Sequence, residues 1–112
     1  MAWFGGFTIE TYNRIPGDYE TLTVGAEVMG LSRSKIQPLT GPYARMLARA
    51  AMISSENGDL RFRFDGDTPD AGDGHYLVGG DTLVLSGSRA LQQFQAIRAG
   101  DADGTLRVTY FY

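Results

Sequence analysis

With 112 residues, 43% of them hydrophobic and 21% charged, the chain is sized for one domain whose core needs no disulfide or structural metal. It has no cysteine, which excludes a disulfide scaffold, a thiolate zinc site and a thiol nucleophile together. The net charge of −3 comes from the second half: residues 57–112 carry eight acidic and five basic side chains, whereas 1–56 carry five of each.

In chain order, residues 1–6 form a candidate N-terminal arm, because Trp3, Phe4 and Phe7 flank Gly5-Gly6 in a stretch too short to build its own core. A first short strand fits Phe7 to Tyr12. Leu22, Val24, Ala26 and Val28 then alternate with Thr21, Thr23, Gly25 and Glu27, which predicts a long strand bent at Gly25. Leu31 to Pro42 reads as a loop. Beyond Pro42, Tyr43, Met46, Leu47, Ala50 and Ile53 recur at helical spacing. Asn57-Gly58 competes with that reading, since a tight hairpin turn needs an extended partner before it. An irregular start at Pro42 feeding a strand from about Ala48 satisfies both.

Leu60-Arg61-Phe62-Arg63-Phe64 alternates cleanly, so the hairpin pairs it with 51–56, with Leu60, Phe62 and Phe64 inward and the arginines as a surface stripe. Asp65 to Gly80 reads as a second long loop. Thr82 to Ser86 and Phe94 to Arg98 fit short strands, separated by a helical turn capped at Ser88. Leu106, Val108, Tyr110 and Tyr112 alternate with Arg107, Thr109 and Phe111, placing the last residues in a docked strand. About seven short strands, with at most one or two short helical turns and glycine punctuation between them, predict one all-β domain over 1–112, an antiparallel β-sandwich of jelly-roll type.

Few reactive groups stand out. His75 is the sole histidine, without a Gly-x-Ser-x-Gly elbow to suggest a hydrolase, and closing a loop by hydrogen bonding is its simpler role. Asp65, Asp67, Asp70 and Asp73 offer closely spaced oxygen ligands for calcium, but Pro69 stands where an EF-hand places a ligand, and aspartate and glycine are also ordinary turn formers. No phosphate-cradling glycine motif occurs, so no nucleotide cofactor is expected. The run from Asp65 to Asp81 holds five aspartates and no Lys or Arg, which disfavours nucleic acid as a partner. No apolar run approaches the ~20 residues that span a bilayer, and Met1-Ala2-Trp3-Phe4 lacks the basic region of a secretion signal, so no membrane partner is expected.

The order Leu60-Arg61-Phe62-Arg63-Phe64-Asp65-Gly66, Thr68-Pro69, Gly74-His75, Gly80-Asp81-Thr82-Leu83-Val84-Leu85, Phe94-Gln95-Ala96-Ile97-Arg98 and Leu106-Arg107-Val108-Thr109-Tyr110 resembles the small β-rich virion proteins of tailed bacteriophages. The resemblance covers roughly residues 48–112. It implies a non-enzymatic protein made in the host cytoplasm and mounted on the capsid surface as a cement or decoration protein. The major capsid protein and its own copies, a trimer being the assembly that the resemblance implies, would be its partners. Trp3, Phe4, Phe7, Tyr110, Phe111 and Tyr112 are then candidate interface residues. Two alternatives stand beside it: a head-completion or tail subunit, and a carbohydrate- or ligand-binding sandwich using the loop from Asp65 to Tyr76.

Overall fold

The computed structural model describes residues 15–112. These form β1 (Pro16–Val24), β2 (Met29–Gly30), α1 (Arg33–Ile36), β3 (Ala50–Asn57), β4 (Leu60–Arg63), β5 (His75–Leu77), β6 (Thr82–Ser86), α2 (Ser88–Gln93), β7 (Gln95–Arg98) and β8 (Gly104–Phe111). Two four-stranded antiparallel sheets pack together, in the orders β1-β8-β3-β6 and β2-β7-β4-β5.

The strand pairs β1·β8, β2·β7, β3·β6 and β4·β5 are nested, like the rungs of one long antiparallel ribbon. Folding that ribbon over lays β8 against β3 and β7 against β4. This is the jelly-roll topology, and the all-β sandwich expected from the alternation is the observed architecture.

Alternation selects what faces the interior. Leu22 and Val24 of β1, Ala51, Ile53 and Ser55 of β3, and Leu106, Val108 and Tyr110 of β8 meet Leu60 and Phe62 of β4, Leu77 of β5 and Ala96 of β7 across the sandwich. Ser55 is the buried polar exception, and its hydroxyl donates to the Val78 carbonyl at 3.1 Å. Leu91 and Phe94, from α2 and the residue after it, plug one end of the core, and Ile36 of α1 joins them.

The Asn57-Gly58 hairpin is corrected. β3 and β4 lie in different sheets, so the dipeptide turns a corner between layers instead of pairing its flanks. Both neighbouring positions of β3 are filled, by β6 and β8. Asn57 does adopt the positive φ that drew attention to it, 71°. Gly58 is required for space: a Cβ there would lie 2.4 Å from the Ala102 carbonyl oxygen.

Several boundaries also shift. The strand expected over 21–28 starts at Pro16 and stops at Val24, and β2 is a separate two-residue strand. The loop from Leu31 to Pro42 contains α1, and the loop from Asp65 to Gly80 contains β5. At 42–53 no helix forms; turns lead into β3 at Ala50, two residues later than expected. Phe64 lies just past the end of β4 and is 40% exposed, not core. Eight strands are therefore found among the described residues, whereas the expected seven included Phe7 to Tyr12, which lies outside them together with the N-terminal arm.

Candidate interaction surfaces

The C-terminal aromatics are covered by the chain itself. Tyr110 is fully buried, and Phe111 and Tyr112 are nearly so. The Tyr110 hydroxyl donates to Glu20 of β1, whose carboxylate also accepts from the hydroxyl and backbone N–H of Ser32, the residue before α1. Tyr112 stacks on Tyr43 with centroids 4.7 Å apart, and its hydroxyl donates to the Lys35 carbonyl. Burial, reinforced by the Glu20 carboxylate, holds the Tyr110 phenol far above its ordinary pKa, and burial with Asp18 nearby does the same for Tyr112. Segment 31–47 thus seals the end of the terminal strand, and in this subunit Tyr110, Phe111 and Tyr112 are core residues. Trp3, Phe4 and Phe7 lie outside the described residues.

The acidic loop does not gather its carboxylates. Asp65 is held by the Arg63 guanidinium and accepts from the Asp67 N–H, which keeps its carboxyl below the usual range. Asp70 accepts from the Gly72 N–H at 2.8 Å and pairs through its backbone with Asp73. Among the described residues no three His, Asp or Glu side chains converge on a metal site. Asp65, Asp67, Asp70 and Asp73 are used as turn residues instead. His75 lies opposite Phe62 in the β4·β5 pair, and in place of the expected loop-closing hydrogen bond its ring is tilted against Phe62 at 5.3 Å and stacked on Phe64 at 5.8 Å.

The arginines of β4 are half-buried, and each has a fixed task. The Arg61 guanidinium sits 4.6 Å above the Tyr76 ring and donates to the Gly74 carbonyl at 3.0 Å. The Tyr76 hydroxyl donates to Asp59 at 2.8 Å, and Asp59 also accepts from the Gly79 N–H at 2.9 Å. The Gly79 bond and then the Tyr76 bond hold the Asp59 carboxyl below its ordinary pKa, while the same Asp59 contact raises the Tyr76 phenol. A depressed carboxyl pKa contributes stability above the unfolded value of about 3.9, lost as pH falls through the lower folded value. Asp59→Ala should therefore be less stable at neutral pH, with the difference from the parent shrinking below about pH 4; thermal unfolding across that range measures it.

Two surfaces were not singled out by the sequence. The first is the outer face of the β1-β8-β3-β6 sheet. Register aligns Tyr19, Thr109, Met52 and Val84 in one row, Thr21, Arg107, Ser54 and Thr82 in the next, and Thr23, Thr105 and Glu56 in a third. Arg107 ties the rows together, donating to Glu56 at 2.9 Å, to the Tyr19 hydroxyl at 3.3 Å and to Thr21 at 3.4 Å. The signal for this face was present as the outward half of the same alternation, but only strand order reveals that the threonines of β1 and β8 adjoin. The second is a cleft of about 880 Å³ at the end of the sandwich, walled by segment 33–47 and Asp18. Arg33, Lys35 and Arg45 line it beside Tyr43 and Met46, and Leu39 on its rim is 87% exposed. Comparison with known proteins finds no matching family model, no matching curated protein and no matching solved structure.

Proposed function

We propose that this protein is a non-enzymatic structural component of a tailed-phage particle, a cement or decoration protein that binds the capsid shell and its own copies. The observation that carries this reading is the outer face of the first sheet. It is made largely of short hydroxyl side chains, with its one long cation already immobilised by Glu56, Tyr19 and Thr21. Threonine is stiff at χ1, so docking such a face orders few rotamers. A face of this kind suits adhesion to a broad, repeating surface.

Its size sets how it would work. Four strands ~4.8 Å apart and five to nine residues long present roughly 500 Å², less than the ~800 Å² per partner of a standard stable interface. One copy alone binds weakly. Stable coverage then requires contacts between neighbouring copies or many simultaneous attachments, which is how a shell coat gains strength without a deep site.

Co-sedimentation of the purified protein with particles that lack it tests the reading. Binding is expected to saturate at on the order of hundreds of copies per particle, as a symmetric shell offers equivalent positions. Thr109→Arg, at the centre of the face, should weaken binding about 10-fold or more while leaving the fold intact. Saturation at a single ring of copies would favour the head-completion or tail reading. Tyr76, 48% exposed at the end of the acidic loop, supports a glycan-binding alternative, although Arg61 already lies over its ring. Retention by soluble glycans, without particle binding, would favour that alternative.

A further inference from the structure

Among the described residues a basic cleft and an acidic loop stand at one level of the sandwich and on opposite flanks. β1 and β2 are the edge strands of one flank, and β6 and β5 are those of the other. Gly30, which leads into the basic segment, and Arg63, which leads into the acidic loop, both pair with Gln95 of β7. The β2–β3 connection therefore leaves one side of the molecule at the height where the β4–β5 connection leaves the other.

On the first flank, Arg33, Lys35 and Arg45 line the 880 Å³ cleft, and Asp18 is the single carboxylate among its described walls. The ion pairs among the described residues involve Arg63, Arg98 and Arg107, and none uses these three cations. On the second flank, Asp65, Asp67, Asp70 and Asp73 are all exposed, with Arg63 the one cation paired to them. The loop is a firm projection: Pro69 is buried beneath it, and the Asp70 and Asp73 backbones exchange two hydrogen bonds at 3.0 and 3.2 Å.

We infer that the acidic loop 65–73 of one copy docks into the basic cleft of the next, so that copies stand side by side with the same end facing the same way. The contact is heterologous, since each copy offers a different flank to each neighbour, and it closes into a ring when the rotation per copy permits. Complementary charge orients the encounter, and Leu39 and Met46 at the cleft supply apolar surface that loses water on docking. The inference deepens the decoration reading by naming the contact between copies.

Sedimentation velocity of the isolated protein, without particles, tests it. The parent should self-associate at about 50 mM salt and lose affinity about 10-fold or more at about 1 M, where the Debye length falls to ~3 Å. Arg33→Glu with Arg45→Glu blocks the cleft, and Asp67→Lys with Asp73→Lys blocks the loop; each double variant, checked for folding by circular dichroism, should be monomeric. Mixed in equal amounts, the two should form dimers and nothing larger, because each retains one working flank. A monomeric parent at low salt, a variant that assembles like the parent, or a mixture that stays monomeric or grows beyond dimers would each overturn the inference. So would cleft-dependent capture of a single-stranded oligonucleotide by a parent that stays monomeric. Self-association without particle binding sinks the decoration reading alone, and particle binding by a protein that is monomeric in solution sinks this contact alone.

Discussion

Phe62→Ala is expected to cost about 3–5 kcal/mol, the usual range for removing a buried phenylalanine. Phe62 is 6% exposed, and its ring lies 5.6 Å from Phe94 and 5.3 Å from His75. β4 is only four residues long, so Phe62 and Leu60 carry its attachment to the core. Truncation would open a cavity beneath the β4–β5 edge and loosen Phe94, the residue that joins α2 to β7. His75→Ala is the matched control. His75 is exposed and its ring covers Phe62 and Phe64 from the solvent side, so about 1 kcal/mol is expected from its loss. Chemical denaturation of both variants measures the difference. A stable Phe62 variant beside an unfolded His75 variant would invert the assignment of core and rim.

Gly58→Ala is expected to be the next most damaging change, at about 1–3 kcal/mol or more from overpacking. An added Cβ would stand 2.4 Å from the Ala102 carbonyl oxygen and 2.9 Å from that of Asp103, and backbone cannot turn aside as a side chain can. The same corner is tight from other directions: a Cβ on Gly104 would meet Leu60 at 2.6 Å, and one on Gly79 would meet the Asn57 carbonyl at 2.6 Å. Three turns, 57–58, 78–80 and 102–104, close against each other where the sheets meet at this end. Gly100→Ala is the control, because open space surrounds that position. It should be neutral, or stabilising by up to about 1 kcal/mol, through loss of unfolded-chain freedom. Equal effects at Gly58 and Gly100 in thermal unfolding would refute the crowded-corner account.

Much of the local structure was legible along the chain. Thr82 to Ser86 stands where alternation placed it, and Leu106, Val108 and Tyr110 face inward as their spacing required; the helical turn also forms, but Gly87 is its N-cap and the Ser88 hydroxyl, expected to cap it, donates to the Ala48 carbonyl at 2.9 Å instead. Period-two alternation reports which side of a strand meets the core, and it does so without knowledge of the neighbours. Phe64 departs from the pattern because β4 ends at Arg63, so the alternation no longer binds it. β2 and β5 escaped notice because strands of two and three residues are too short to display a period.

The candidate site was less legible, and Arg107 shows why. Its partners Glu56, Tyr19 and Thr21 lie 51, 88 and 86 residues away in sequence, so no local motif could announce the knot they form. Similarly, the acidic run was plain to read as composition, but its opposition to Arg33, Lys35 and Arg45 depends on Gly30 and Arg63 flanking the same residue of β7.

What the amino-acid order determined by itself was the all-β class, the inward faces of the strands and the places where the chain must turn, because these rest on side-chain chemistry and on interactions among residues close in sequence. Only the tertiary structure decided that Asn57-Gly58 is a corner between sheets, that the C-terminal aromatics are covered by segment 31–47, and that two oppositely charged segments stand on opposite flanks. Those outcomes depend on which strands become neighbours, and neighbour choice is settled by the burial of the whole sandwich at once.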